Sequence, residues 1–221
     1  MKTASRVLGS AFFLEGFEVQ DAPRYGAERR GAPIFAYVRA SRQPINERGI
    51  IRHPDLVTVA DDSLVPVPAA GVLQGLSGHT VMLINSHDTA EVWKKRLNLA
   101  GPVLILPARE EVEDRADLPF AGTACAGAAA RLVGVISRDA LAEAIRDELE
   151  PLGPELVDRN IQTALHAYDL MAAHAGSVAE AAHISARTYE KPEWIGMPFE
   201  DAGMAAPSIH AAATSIEVKT G

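Results

Sequence analysis

Residues 79–108 read HTVMLINSHDTAEVWKKRLNLAGPVLILPA. Two short apolar runs, HTVMLINS (79–86) and GPVLILPA (101–108), flank a segment with helical character, DTAEVWKKRLNLA (88–100). A strand with one face in water alternates apolar and polar residues, whereas a strand covered on both faces is apolar at nearly every position. Both runs are of the second kind, and DLVTVAD (55–61) is a third. Covered strands that alternate with helices imply a largely parallel sheet in an α/β domain. The connection LVPVPAAGVLQGL (64–76) is long enough for a crossover, with Pro66 and Pro68 confining any helix to its second half.

Toward the N-terminus, Ala4, Val7, Leu8, Ala11 and Phe12 recur at helical spacing, and Gly16 is placed to end that helix. FEVQDAP (17–23) predicts a short strand. PIFAYVRAS (33–41) predicts another, with Ile34, Ala36 and Val38 on one face. Toward the C-terminus the texture changes. FAGTACAGAAARLVGVI (120–136) is a small-residue helix suited to close packing, and Ser137 is placed to cap RDALAEAIRDELE (138–150), with Asp139 favouring its N-terminal end. PELVDRNIQTALHAYDLMAAH (154–174) predicts a third helix. From Gly176 onward Pro192, Pro198 and Pro207 interrupt any pattern. The expected architecture is therefore a Rossmann-like α/β domain over residues 1–175, a largely parallel sheet flanked by helices with a helical C-terminal half, followed by an extended arm over 176–221. No internal repeat is evident.

The composition is that of an ordinary globular chain: 221 residues, 48% hydrophobic and 23% charged, with a net charge of -8. The acidic balance argues against general nucleic-acid binding. No run approaches the roughly 18 apolar residues of a membrane helix, and the opening residues do not read as a secretory leader. A cytoplasmic protein is expected. Cys125 is the single cysteine, which rules out a disulfide within the chain and an iron–sulfur cluster ligated by cysteines of this chain alone.

Most candidate chemistry reads as structure. The seven histidines, His53, His79, His87, His166, His174, His183 and His210, lack the spacing of a metalloprotease helix. Cys125 lies in an alanine-rich segment and reads as a small buried hydrophobe. The acidic run AREEVEDRAD (108–117) reads as a solvated face. Asp61 and Asp62 end a strand, where α/β proteins place ligand residues, and they suit the start of a turn or helix as well. The chain contains neither a phosphate-cradling glycine loop nor a nucleophile elbow.

One cluster stands apart. In DAPRYGAERRGAPIFAYVRAS (21–41), Glu28, Arg29 and Arg30 sit in a turn flanked by Gly26 and Gly31. Arginine forks match phosphate or carboxylate, the glycines let backbone approach a ligand or another chain, and Glu28 can hold one arginine in place. A solvent-facing ion pair, contributing ~0–1 kcal/mol, accounts for the same residues equally well.

With Tyr25-Gly26-Ala27-Glu28-Arg29-Arg30-Gly31 followed by the strand IFAYVRAS, the sequence resembles the gamma subunit of 2-oxoacid:ferredoxin oxidoreductases, the pyruvate:ferredoxin oxidoreductase family. The likeness spans about residues 1–175. Ala27 and Ala32 depart from the family's Tyr-Gly-Pro-Glu-x-Arg-Gly-Gly turn. VADDSLV (59–65) and MLINS (82–86) resemble two further family segments, and GTACAGAAARLVGVI (122–136) resembles its Asn-Thr helix with Gly122 in place of the asparagine. MKTASRVLGSAFF, with Thr3-Ala4, resembles the helix that follows the family's glycine-rich loop, so the natural first strand and that loop are expected to be missing. EVKTG (217–221) resembles the lead-in to a ferredoxin-like delta module, which makes 176–221 a linker and the parent a gamma–delta fusion.

The resemblance implies a subunit that is not active alone, within a complex that oxidatively decarboxylates a 2-oxoacid to acyl-CoA and CO₂ and passes electrons to ferredoxin, or to NAD through another subunit. Thiamine diphosphate, Mg and [4Fe–4S] clusters would belong to the alpha, beta and delta subunits. This chain would assist coenzyme A, with Glu28, Arg29, Arg30 and Gly31 either on coenzyme A or at a subunit interface. The alternative is a purely structural assembly module with no ligand contact. A free-standing nucleotide-binding oxidoreductase would need a glycine loop and catalytic residues that the chain does not show.

Overall fold

The computed structural model describes residues 2–25, 34–67, 70–107 and 121–178. Helix α1 (Lys2–Leu14) forms where the apolar stripe predicts it: Ala4, Val7 and Ala11 are buried, and Leu8 and Phe12 pack against the same core. Gly16 ends it at φ +80°. The Phe17 amide reaches back to the Phe12 carbonyl at 3.1 Å, and the Gly16 amide to Phe13 at 2.9 Å. This paired closure needs a residue free to adopt the left-handed conformation, which glycine does without penalty.

Strands β1 (Glu18–Tyr25) and β2 (Ile34–Ser41) pair antiparallel from Glu18↔Ser41 to Tyr25↔Ile34, forming a two-stranded sheet of their own. The parallel sheet is built from β3 (Leu56–Val59), β4 (Val81–Ser86) and β5 (Val103–Pro107), in the order β3-β4-β5. The central strand bears out the reading of its apolar run. Val81 and Leu83 face one core with Leu106, Cys125, Ala128, Leu132, Ala167 and Met171. Met82 and Ile84 face the other, with Val59, Val65, Trp93 and Val103. Complete burial stabilises each such side chain by about 1.5–3 kcal/mol, which anchors β4 at the centre.

The β3–β4 connection differs from expectation. Its described residues hold a 3-10 turn at Asp62–Leu64 and further turns, with no α-helix. The reason lies in the glycines as well as the prolines. Gly71 and Gly75 adopt φ +58° and +73°, and a side chain on Gly75 would collide with the Arg52 carbonyl.

Helix α2 (Ala90–Leu97) follows β4, opened by Thr89, whose hydroxyl accepts from the Val92 amide, and closed by Asn98 at φ 50°. The helical half comprises α3 (Ala121–Val133), α4 (Arg138–Leu149) and α5 (Pro154–Leu170). Ser137 caps α4 as predicted, accepting from the Ala140 amide at 3.1 Å. The small residues of α3 have a clear purpose. An added Cβ on Gly127 would lie 2.0 Å from the Ala164 carbonyl oxygen, so α3 and α5 touch through backbone. Helix α3 also joins the two cores it borders, with Ala126 and Ala130 facing α1 and α4 and with Cys125, Ala128 and Leu132 facing the sheet.

Of the expected arm, Gly176 to Val178 are described, and they lie on the body: the Gly176 and Val178 amides donate to the Arg131 and Leu132 carbonyls. The rest of 176–221, from residue 179, lies outside the described residues.

Candidate functional site

Glu28, Arg29, Arg30 and Gly31 lie outside the described residues, as do the acidic residues of 108–117. What the structure supplies is their frame. Segment 26–33 joins two strands whose ladder runs without interruption to Tyr25↔Ile34, so both ends of the turn are held by an antiparallel pair.

A second group of polar residues gathers at the carboxyl ends of the parallel strands, the edge where open α/β sheets bind ligands. Ser86 closes β4 and is 2% exposed. Its hydroxyl donates to Asp62 Oδ2 at 2.6 Å and accepts from Trp93 Nε1 and from the Asp88 amide, both at 3.0 Å. Asp61 accepts from the Ser63 amide and hydroxyl at 3.0 and 2.6 Å. The Asn85 amide donates to the Ala60 carbonyl at 3.0 Å. Both aspartates therefore serve the turn after β3, as the structural reading of the pair expected. The link from Ser86 to Trp93 was not read from the sequence, because an indole seven residues away in the next helix becomes a partner only once α2 folds back on the sheet.

Beside this network lies an open cleft of about 460 Å³ lined by Ser86, His87, Asp88, Thr89 and His174 with Val103, Leu104, Ile105 and Pro107 of β5. His87 and His174 are exposed, in keeping with surface roles. Arg96 reaches Asp88 at 3.0 Å and lies over the Trp93 ring.

Near the N-terminal end of α1, buried Gly122 faces Ala4, whose Cβ lies 3.6 Å from an added Cβ. The neighbouring Thr123 hydroxyl donates to Asn160 Oδ1 at 2.8 Å, deep between α3 and α5. Cys125 is buried as expected, and burial pushes its thiol up to about 12. No group of three or more potential metal ligands occurs among the described residues.

The family model described as "Pyruvate ferredoxin/flavodoxin oxidoreductase" matches residues 1–170. The chain belongs to the pyruvate ferredoxin/flavodoxin oxidoreductase family. Among proteins similar to it, the pyruvate/ketoisovalerate oxidoreductases common subunit gamma of Pyrococcus furiosus is 34% identical over 168 residues, covering 76% of this chain and 88% of the relative. The pyruvate synthase subunit PorC of Thermotoga maritima is 28% identical over 169 residues, covering 76% of this chain and 86% of the relative. The crystal structure of the Thermotoga maritima pyruvate oxidoreductase subunit PORC aligns with a TM-score of 0.62 at 27% identity, over 76% of this chain and 88% of that one. The likeness to gamma subunits of this oxidoreductase family, drawn from the Tyr25–Gly31 turn and the segments around it, is borne out.

Proposed function

We propose that this chain is the gamma-type subunit of a 2-oxoacid:acceptor oxidoreductase, not active alone, that assists coenzyme A and holds the complex together. The observation that carries the reading is the match to a gamma subunit across 88% of that relative's length. In the assembled enzyme a 2-oxoacid loses CO₂ and becomes acyl-CoA while electrons leave for ferredoxin. Thiamine diphosphate with magnesium and the [4Fe–4S] clusters supply that chemistry from the alpha, beta and delta subunits.

The part assigned to this chain is electrostatic. Arg29 and Arg30 carry fixed charge and forked donors that suit the phosphates of coenzyme A. The carboxylate of Glu28 is chemically suited to bracing a guanidinium, and Gly31 carries no side chain to bar a ligand from the backbone. The β1–β2 ladder supports this role, because a turn clamped at both ends loses less freedom on binding than a free loop.

The test is the Michaelis constant for coenzyme A in the reconstituted complex, wild type against Arg29→Ala and Arg30→Ala. A rise of about tenfold, the loss of one charge-assisted contact, is expected for the arginine that meets phosphate, with 2-oxoacid saturation unchanged. An unchanged constant in a complex that dissociates on a sizing column would assign the turn to subunit assembly alone.

A further inference from the structure

β5 is the last strand in the order β3-β4-β5. Edge strands are usually guarded against pairing with other chains by charges or prolines, or covered by a helix or loop. Val103 to Leu106 carry neither charge nor proline, which leaves a cover as the guard. The Met82 amide donates to the Pro102 carbonyl at 2.9 Å. Peptide groups alternate in direction along a strand, so those of Val103 and Ile105 point away from β4, toward the outer edge. The consecutive residues Val103, Leu104 and Ile105 all line the cleft, which therefore runs along that edge.

Two elements wall the cleft from opposite faces of the sheet. Helix α2, whose Trp93 packs in the core of Met82 and Ile84, brings Thr89 and Ala90. On the other face the strap 172–178 brings His174 and sets Val178 against the core of Val81 and Leu83. Ala172 to Ser177 are exposed. Local bonds keep them together, with the His174 amide on the Met171 carbonyl at 2.9 Å and the Ser177 amide on the His174 carbonyl at 3.1 Å. The strap is joined to α3 by the Gly176 and Val178 amides, at 3.2 and 3.0 Å from the Arg131 and Leu132 carbonyls. Gly176 also packs closely on Gly134, where an added Cβ would lie 2.7 Å from the Gly176 Cα. Among the described residues, no side-chain hydrogen bond or ion pair ties 172–178 to the body. Segments held by so few bonds open locally while packed helices stay closed. We infer that 172–178 is a movable wall of this cleft: it swings out from the end of α5 as a unit and uncovers the outer edge of β5. Gly176 on Gly134 is the point at which it closes. This device belongs to the chain itself and does not depend on the proposed function.

The experiment follows backbone amide exchange in the full chain for wild type, Gly134→Ala, Val178→Ala and Gly16→Ala. Gly16 is the control: its φ of +80° is as left-handed as the +73° of Gly134, but an added Cβ there meets nothing within 4 Å. In the wild type the Gly176 and Val178 amides are expected to exchange about tenfold faster than the interior amides of α3 and α5, or faster still. Gly134→Ala and Val178→Ala should each raise that ratio by about a further tenfold, and Gly16→Ala should leave it unchanged. Val178→Ala carries the test where Gly134→Ala does not fold. Spin labels on His87→Cys and His174→Cys, in a Cys125→Ala chain, report the width of the cleft. Two distances are expected, the longer gaining population when Gly134→Ala or Val178→Ala is added. Strap amides that exchange in step with the helices overturn the inference, and so does a single distance that neither variant changes. Equal acceleration by Gly16→Ala overturns it too, since the strap would then open only with a general loss of stability.

Discussion

The Ser137 backbone amide donates to the Glu15 carboxylate at 2.9 Å, so the residue just past α1 covers the start of α4, 122 positions along the chain. Hydrogen bonds from Ser137, through side chain and then backbone, hold the Glu15 carboxyl below the usual carboxylate value. Slight burial opposes them, and Arg42 adds to the lowering. A carboxyl depressed in the folded state stabilises the fold above its unfolded pKa, and that contribution is lost as pH falls through the folded value. The Glu15→Ala variant should lose at most about 1 kcal/mol near neutral pH, because the group is largely solvent-screened. The gap to wild type should close on acidification below the ordinary carboxylate range. Urea unfolding from neutral pH to strongly acid conditions measures both.

Two glycines of the same helix should respond with opposite sign. Gly127→Ala places a Cβ 2.0 Å from the Ala164 carbonyl oxygen, and backbone cannot yield as a flexible side chain does. A loss of roughly 1–3 kcal/mol or more is expected from such overpacking. Gly122→Ala meets only Ala4, at 3.6 Å, an ordinary contact. Its higher helix propensity should stabilise the chain by up to about 1 kcal/mol. Thermal melts of the pair decide it: similar melting temperatures for the two would contradict the backbone contact between α3 and α5.

Ser86 joins three groups, and removing its hydroxyl orphans more than one of them. In Ser86→Ala the Trp93 indole N–H remains buried with no acceptor there, and Asp62 loses its donor. A buried unsatisfied group costs about 1–3 kcal/mol, so the denaturation midpoint should fall accordingly. Ser86→Cys restores a weak donor and acceptor and should recover only part of that. Full stability in the alanine variant would show that the network contributes nothing.

Cys125 should be inert in the folded chain. Only the thiolate reacts, and burial holds the thiol near 12. A chromogenic disulfide reagent at mildly alkaline pH should release no colour from native protein within minutes. In denaturant it should release one equivalent per chain, since the sequence holds one cysteine. Rapid reaction of the native state would place Cys125 at an accessible surface.

Local order was legible from the sequence wherever a single segment carries its own signal. The stripe Ala4–Val7–Ala11 specifies α1, Ser137 its neighbour's cap, and the unbroken apolar run 81–84 a strand with no wet face, because each depends on periodicities of 3.6 and 2 that the backbone imposes. The order of motifs from Tyr25 to Gly31 and onward likewise carries the family likeness in the sequence itself. The β3–β4 connection was less legible: its prolines limited a helix, but whether Gly71 and Gly75 would turn left-handed depends on the Arg52 carbonyl pressed against one of them. The contacts between distant segments belong to the tertiary structure alone. Glu15 on Ser137, Gly127 on Ala164, Ser86 on Trp93 and Arg39 on Gly49 arise because packing brings together atoms whose attraction is short-ranged, and linear spacing carries no record of such distances.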